Sequence, residues 1–456
     1  MLQRLIWRFS DILCQYIAYL RNVIMGKLAK HKNPPARWRK RTSGMKRENV
    51  NFFFLNVGHF MDHLFVLIFA TAVIKLSVDW NLSYQDLLPY AAPGMVAFGL
   101  GAIPAGWIAD KWNRHGMMQI FFIGIGLASI GCSFATTPLE MGIGLFVIGG
   151  FASIYHPVGI AMVVQGRAKT GMPLAMNGVF GNLGVAAAPL LTGAILDLYD
   201  WRWAFIVPGV LSVCTGIAYW MYVRAGELET MYPSEGGAAA AGGISIDRHV
   251  IVKVFAIIFL STALGGIIFQ TTTYSLPQIF NLRLGDLAGS LTEVGLWSAF
   301  VFSMAAFAQL VVGHLVDRYS IRTIFGLVTI VQTALFALMI NLFGAPALLV
   351  SLAFMLVVFG QIPINDVLVG RVAKSEWRSR AYAARSFVTF SVMSFTLPAI
   401  AWLIDNRDSF DWAPTEWDQF AVIFIILSIS AALIFLLVLQ LPKVAAITGV
   451  STAPAE

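Results

Sequence analysis

Gly106-Trp-Ile-Ala-Asp110-Lys111-Trp-Asn-Arg114 returns half a chain later as Gly313-His-Leu-Val-Asp317-Arg318-Tyr-Ser-Ile-Arg322. The copies begin 207 positions apart, and each is a short polar turn between long apolar segments. A G-x-x-x-D-[K/R] turn repeated at that interval predicts a duplicated bundle with the turn at the same place in each half. The second copy departs slightly, setting its distal base one residue further from the Asp than the first does. An Asp followed by Lys or Arg at the mouth of a bundle can accept from helix N-terminal amides and pair with a base on the other half. Gly106, Asp110, Lys111, Arg114, Gly313, Asp317, Arg318 and Arg322 are therefore read as a gating motif.

The composition surrounding these turns belongs to a membrane. Of 456 residues, 58% are hydrophobic and only 12% charged, against about a quarter charged in a soluble domain. The mean hydropathy is +0.75. Crossing the hydrocarbon takes roughly 20 apolar residues per helix, and windows of that length give twelve spans. They fall near 50–76, 89–109, 117–135, 139–165, 173–198, 203–223, 250–280, 292–316, 323–343, 346–372, 382–404 and 418–441. The expected fold is an all-α polytopic membrane protein, twelve transmembrane helices in two pseudo-symmetric halves of six. Its divisions are a basic extension (1–48), a first bundle (49–223), a Gly- and Ala-rich linker (224–249), a second bundle (250–441) and a tail (442–456). Pro189 with Asp197 in span five is mirrored by Pro398 with Asp405 in span eleven, at offsets of 209 and 208. That interval matches the turns and argues for parallel repeats. So little chain lies outside the spans that a separate soluble catalytic domain has no room. Cys14, Cys132 and Cys214 are odd in number and scattered, suggesting neither disulfides nor a metal cluster.

Lys and Arg set the orientation. Beyond residue 47, loops on the side of the repeated turns hold fifteen basic residues, and the opposite loops hold four: Lys75, Arg202, Arg283 and Arg407. The positive-inside rule then places both termini and both turns in the cytoplasm, and a bacterial inner membrane is the expected location. The first 47 residues carry 12 of the 31 Lys and Arg with a single acid, Asp11. Residues 2–25 read as a helix lying on anionic lipid headgroups, residues 27–47 as a polybasic, disordered stretch. The favoured reading of this tail is a mere anchor or an overlong start; an organellar transit peptide is the alternative.

Ionisable groups inside spans cost about 2.5–3.5 kcal/mol each on insertion scales, which makes them functional candidates. Span one holds His59, Asp62 and His63, whose spacing puts all three on one helix face. Such a cluster can hold a proton and release it when a gate opens; the rival reading is a structural Asp–His bond joining helices. Two His four apart with a carboxylate can also ligate zinc, but no third or fourth ligand stands beside them in the sequence, so no metal is assigned. In span four, Tyr155-His156-Pro157 predicts a local break with a titratable donor beside it. Gln361-Ile-Pro363-Ile-Asn365-Asp366 in span ten reads as a second proline-broken patch at nearly the repeat offset. Matching interruptions in two halves point to a central binding site. Span seven adds Gln270, Thr271 and Tyr274, and Arg385 in span eleven corresponds to Asn177 in span five. Arg385 can bind an anionic group bidentately or simply end a span on the basic side.

Over residues 50–441 the chain resembles the major facilitator superfamily, on the twin turns and on Asp200-Trp-Arg-Trp203-Ala-Phe205 after an external turn. Within it the chain is most similar to the fosmidomycin-resistance group, through Gly58-His59-Phe-Met-Asp62, Ser153-Ile-Tyr-His156-Pro157 and Gly181-Asn-Leu-Gly184-x4-Pro189. The resemblance implies a proton-driven exporter of small anionic or amphipathic compounds. Gly184, Pro189 and Gly193 fit the family's antiporter motif, where they would pack span five against a partner; Ala175, Ala188 and Thr192 replace its other glycines. Val158 stands where the group often has an acid after His-Pro.

Proton-coupled efflux of a small organic molecule by alternating access is thus the leading expectation, with His59, Asp62 and His63 carrying the proton. Proton-coupled uptake of a small organic anion or nutrient is the alternative, and a non-transporting sensor or scaffold a distant one. No P-loop or arrangement of nucleophile, base and oxyanion donor is present, so neither an enzyme nor a cofactor is expected. The partners expected are substrate, protons and lipid, without nucleic acid, around a monomer.

Overall fold

The computed structural model describes residues 47–165, 171–224, 248–372, 378–414 and 416–441. The basic extension, the 224–249 linker and the C-terminal tail fall outside the described residues except at their edges. Twelve helices are long and apolar enough to cross a membrane. We number them α1 (Arg47–Asp79), α2 (Tyr84–Lys111), α3 (Arg114–Cys132), α4 (Pro138–Val164), α5 (Gly171–Leu198) and α6 (Trp203–Arg224) in the first half. The second half holds α7 (Arg248–Arg283), α8 (Leu291–Arg318), α9 (Ile321–Leu338), α10 (Gly344–Val372), α11 (Arg378–Asp405) and α12 (Ala421–Val438). Every expected span has its helix.

The turns between helices carry their own start signals. Ser83 with Asp86 opens α2 and Thr137 with Glu140 opens α4 as capping boxes; Asn113 caps α3 and Ser290 caps α8. Each side-chain oxygen satisfies an amide that the first helical turn leaves free. Within the first half α1 packs on α5, α2 on α4 and α3 on α6. Within the second, α7 packs on α11, α8 on α10 and α9 on α12. These are the same pairings displaced by six helices, which is the duplication seen as packing.

The halves meet mainly along α5 with α8 and α2 with α11. At the first of these seams the backbones touch: a Cβ on Gly193 would lie 2.1 Å from Leu291 O, and one on Gly295 would lie 2.3 Å from Pro189 O. Gly193 thus lies where the backbones of α5 and α8 come closest. Gly184 packs α5 on the other side, where a Cβ would come 2.1 Å from Phe60 O of α1. At the end of the seam, the Asp197 carboxylate accepts from Leu291 N (3.2 Å) and Thr292 N (2.7 Å), capping α8 from the other half.

One expectation is corrected here. Pro157 does interrupt α4, where Ser153 and Ile154 form a turn and Tyr155–Gly159 a single π turn. Pro363 does not interrupt α10, which runs as one helix from Gly344 to Val372. A helix inside a packed bundle can lose one N–H and keep its course when its neighbours hold it. The widened turn at Pro157 needs a further cause, which lies in the site.

Candidate functional site

The polar residues of α1 and α4 form one cluster in the first half. Asp62 is fully buried, His59 nearly so, and His63 half-buried. The π turn carries His156 to this face, where its Nε2 lies 3.3 Å from Asp62 Oδ2. That approach is within ion-pair reach but poorly aligned for a hydrogen bond, and neither Asp62 oxygen has a hydrogen-bond partner among the described residues. His59 and His63 face each other, with their Nε2 atoms 3.2 Å apart. The His156 ring stands edge-on to both, at centroid distances of 5.3 and 5.6 Å.

A hydrogen-bonded frame holds the histidines. His59 Nδ1 donates to the backbone carbonyl of Asn177 at 2.8 Å. The Asn177 side-chain amide donates to Asn56 Oδ1 (3.0 Å) and Tyr155 Oη (2.8 Å), and Tyr155 Oη donates to Leu55 O (2.7 Å). The Tyr155 ring stacks on His59 at 4.8 Å. Tyr155 and Asn177, read from the sequence as substrate contacts, are buried and bonded within this frame. Their hydroxyl and amide tie the α4 backbone to α1 and α5, which is the cause the π turn needed. Unpairing such a buried group would cost about 1–3 kcal/mol. Extra turns of this kind are common at functional sites.

Two glycines make the space. A Cβ on Gly58 would sit 2.9 Å from the Tyr155 ring, and one on Gly181 would sit 2.6 Å from His59 Nε2. Phe98 of α2 stands between the cluster and the other half, with its ring edge-on to His156 at 5.7 Å and to Phe390 of α11 at 5.0 Å. Sequence reasoning missed Phe98, Phe390 and Asn56. Phe98 and Phe390 are two of 34 phenylalanines and carry no local signal.

The second half offers α7 and α10, which pack on one another. Gln270, Thr271, Tyr274, Gln361 and Asn365 are all buried. Gln270 Nε2, Gln361 Nε2 and Asn365 Oδ1 lack hydrogen-bond partners among the described residues, so the two amides can still donate to a ligand and Asn365 Oδ1 can accept from one. Arg385 is half-buried on α11. The side chains of Asp366 and Asp317 lie outside the described residues. In the first of the repeated turns Asp110 pairs with Arg114 at 2.8 Å, and Arg114 Nη1 donates to Gln165, just past the end of α4, at 3.3 Å. The four-residue step places Arg114 beside Asp110 on the same turn. Gly313 lies in α8; Arg318 is exposed and Arg322 half-buried, as is Gly106, while Lys111 is exposed.

A duplicated twelve-helix membrane bundle with buried polar groups on both sides of its seam is the class of protein so defined. The chain belongs to the Major Facilitator Superfamily, whose model matches residues 52–286 and again 258–454. Among curated relatives, the 4-hydroxybenzoate transporter PcaK of Pseudomonas putida is 20% identical over 59% of this chain and 66% of its own length. The Multidrug resistance protein B homolog of Mycobacterium tuberculosis is 27% identical over 32% of this chain and 28% of its own. The chain thus spans between about a quarter and two thirds of the length of these curated relatives. Among solved structures, the inward-facing, unoccupied bacterial homolog of the human lysosomal transporter Spinster superposes with a TM-score of 0.70 at 12% identity. That match covers 90% of this chain and 100% of the other. The D-xylose-proton symporter gives 0.65 at 15% identity, over 87% and 98%.

Proposed function

We propose that this protein is a secondary transporter that moves a small organic molecule by alternating access, driven by protons and working in the direction of export. The observation that carries the reading is the pairing of a buried, hydrogen-bond-free Asp62 among three histidines with unpartnered polar atoms on α7 and α10 across the seam. A charge at that depth is costly without a role, and the α7 and α10 groups gain bonds only when a ligand supplies them. Asp62, His59 and His63 would carry the proton; Gln270, Gln361 and Asn365 would contact the substrate. Phe98 and Phe390 would part as the halves rock. The two motifs that resemble the fosmidomycin-resistance group, around His59 and around His156, belong to one cluster, which supports kinship with that group. Both termini would face the cytoplasm of a bacterial cell, with bundle boundaries at 49–223 and 250–441.

A second reading, uptake of a small organic anion, is favoured by relatives named for 4-hydroxybenzoate and gallate and by Arg385 on α11. One experiment serves both. Purified protein in liposomes with an imposed pH gradient is given candidate aromatic acids and amphipathic drugs while lumenal pH is followed. Compound-dependent proton flux is expected, with a loss of at least about tenfold in folded Asp62→Asn. Its sign separates export from uptake. Equal flux in both proteins would remove the coupling role from α1.

A further inference from the structure

We propose that His59, His63 and His156 form a binding site for one divalent transition-metal ion of the zinc class, with Asp62 as the neighbouring carboxylate that balances its charge. The site does not rest on the transport reading, and a bound ion would take the imidazole nitrogens that the proton would use in its absence. The three side chains each offer a ligand nitrogen, and these atoms lie within 4.8 Å of one another. The separation of His59 Nε2 and His63 Nε2, 3.2 Å, is close to the edge of a tetrahedral site, and the His156 ring, whose nitrogen lies further off within the 4.8 Å span, has to swing inward to complete it. Metal–nitrogen bonds of about 2.0–2.1 Å require nitrogen–nitrogen edges of about 3.3–3.4 Å. The sequence supplied only two imidazoles on one helix face; the fold brings the missing third from α4.

The chemistry of the His59 ring agrees. Asn177 O can only accept, so the 2.8 Å contact fixes the proton of neutral His59 on Nδ1. Nε2 is then a bare lone pair aimed at His63. Ligating imidazoles are held in this way, by a hydrogen bond from the outer nitrogen to a carbonyl or carboxylate. Asp62 is an independent pointer. It is fully buried, touches His156 at 3.3 Å, and has no hydrogen bond to either oxygen. An uncompensated carboxylate at that depth is strongly unfavourable, and a divalent ion on the adjacent histidines compensates it. Three imidazoles leave a fourth position for water or another donor atom. The set suits Zn2+, Cu2+ or Ni2+ over Mg2+ and Ca2+, which take oxygen ligands. The His156 side chain is 30% exposed, so the ion has an approach.

The test uses the full-length protein in lipid nanodiscs, purified on a tag without histidine, with Co2+ as the probe. We expect one Co2+ per chain, with the visible absorption of a four-coordinate ion, displaced by Zn2+. Folded His63→Gln and His156→Gln should bind at least about tenfold more weakly, the lower end of what even an outer-shell change costs. His314→Gln, an exposed histidine on α8, should bind as the unmodified protein does. Absence of stoichiometric binding, or equal binding in both folded variants, overturns the site. Should the variants fail to fold, an imidazole-acylating reagent read by mass spectrometry decides on the unmodified protein. Zn2+ is expected to protect His63 and His156 but leave His314 labelled; equal labelling with and without Zn2+ overturns the site.

Discussion

At the scale of single residues, Gly181 and Arg283 show how much rests on side chains without a motif role. A methyl group on Gly181 would stand 2.6 Å from His59 Nε2. The ring cannot yield easily, because it is stacked on Tyr155 and bonded to Asn177 O. Gly181→Ala should therefore lower stability by about 1–3 kcal/mol through overpacking and reduce flux at least about tenfold, read by Tm in detergent beside liposome transport. Full flux would mean that the position of His59 is not critical. Arg283, at the end of α7, grips Asp418 through Nε at 2.6 Å and Nη2 at 2.5 Å, and its guanidinium also bonds the carbonyls of Met339 and Ile340. Removing one partner of a buried pair costs about 3–5 kcal/mol. Arg283→Gln should lose that much, and Arg283→Met with Asp418→Leu should recover most of it; a double variant as unstable as the single would assign the loss to the carbonyl bonds. The sequence revealed His59, Asp62 and His63 because their spacing is local. It did not reveal that His156 joins them, since a contact between α1 and α4 depends on the bundle. Nor could it tell that Tyr155 and Asn177 face the frame, because polarity marks a residue without saying which side it serves.

Helices were the most legible level, because a span is defined by some twenty apolar residues and needs no partner to be seen. Proline was legible less evenly. Pro157 and Pro363 look alike in sequence, yet one widens its helix and the other does not. The difference is that α4 is pulled at Tyr155 by the bonds to Leu55 O and from Asn177. Pro157→Ala restores an N–H and removes the ring clash, an effect that reaches about 3 kcal/mol inside a helix. If α4 then closes into regular α-helix, one residue of register turns the segment by about 100° and takes His156 off Asp62. The expected outcome is a Tm held or raised with proton-coupled flux largely lost. Unchanged flux would mean that the tyrosine bonds alone keep the turn open.

Alternating access is a property of the whole molecule, and it needs contacts between halves that form at one end and break. On the proposed mechanism the seam of α5 with α8 would supply such a contact in Asp197, at the end opposite the repeated turns. The backbones beside it touch at Gly193 and Gly295, so this end closes with little side chain in the way. A carboxylate on a helix N-terminus is worth about 0.3–1 kcal/mol at an exposed site, and Asp197 is exposed. Its removal should therefore shift the balance of closed and open forms by up to about fivefold rather than abolish it. Nitroxides at Tyr199 and Leu287, both exposed near this end, would report the separation by pulsed electron resonance in nanodiscs. Asp197→Ala should raise the long-distance population by that factor, with transport altered in rate but still present. An unchanged distance distribution would show that the glycine seam alone holds this end together. The charge would then serve only to cap α8, and control of the opening would pass to the turn that holds Asp110 and Arg114.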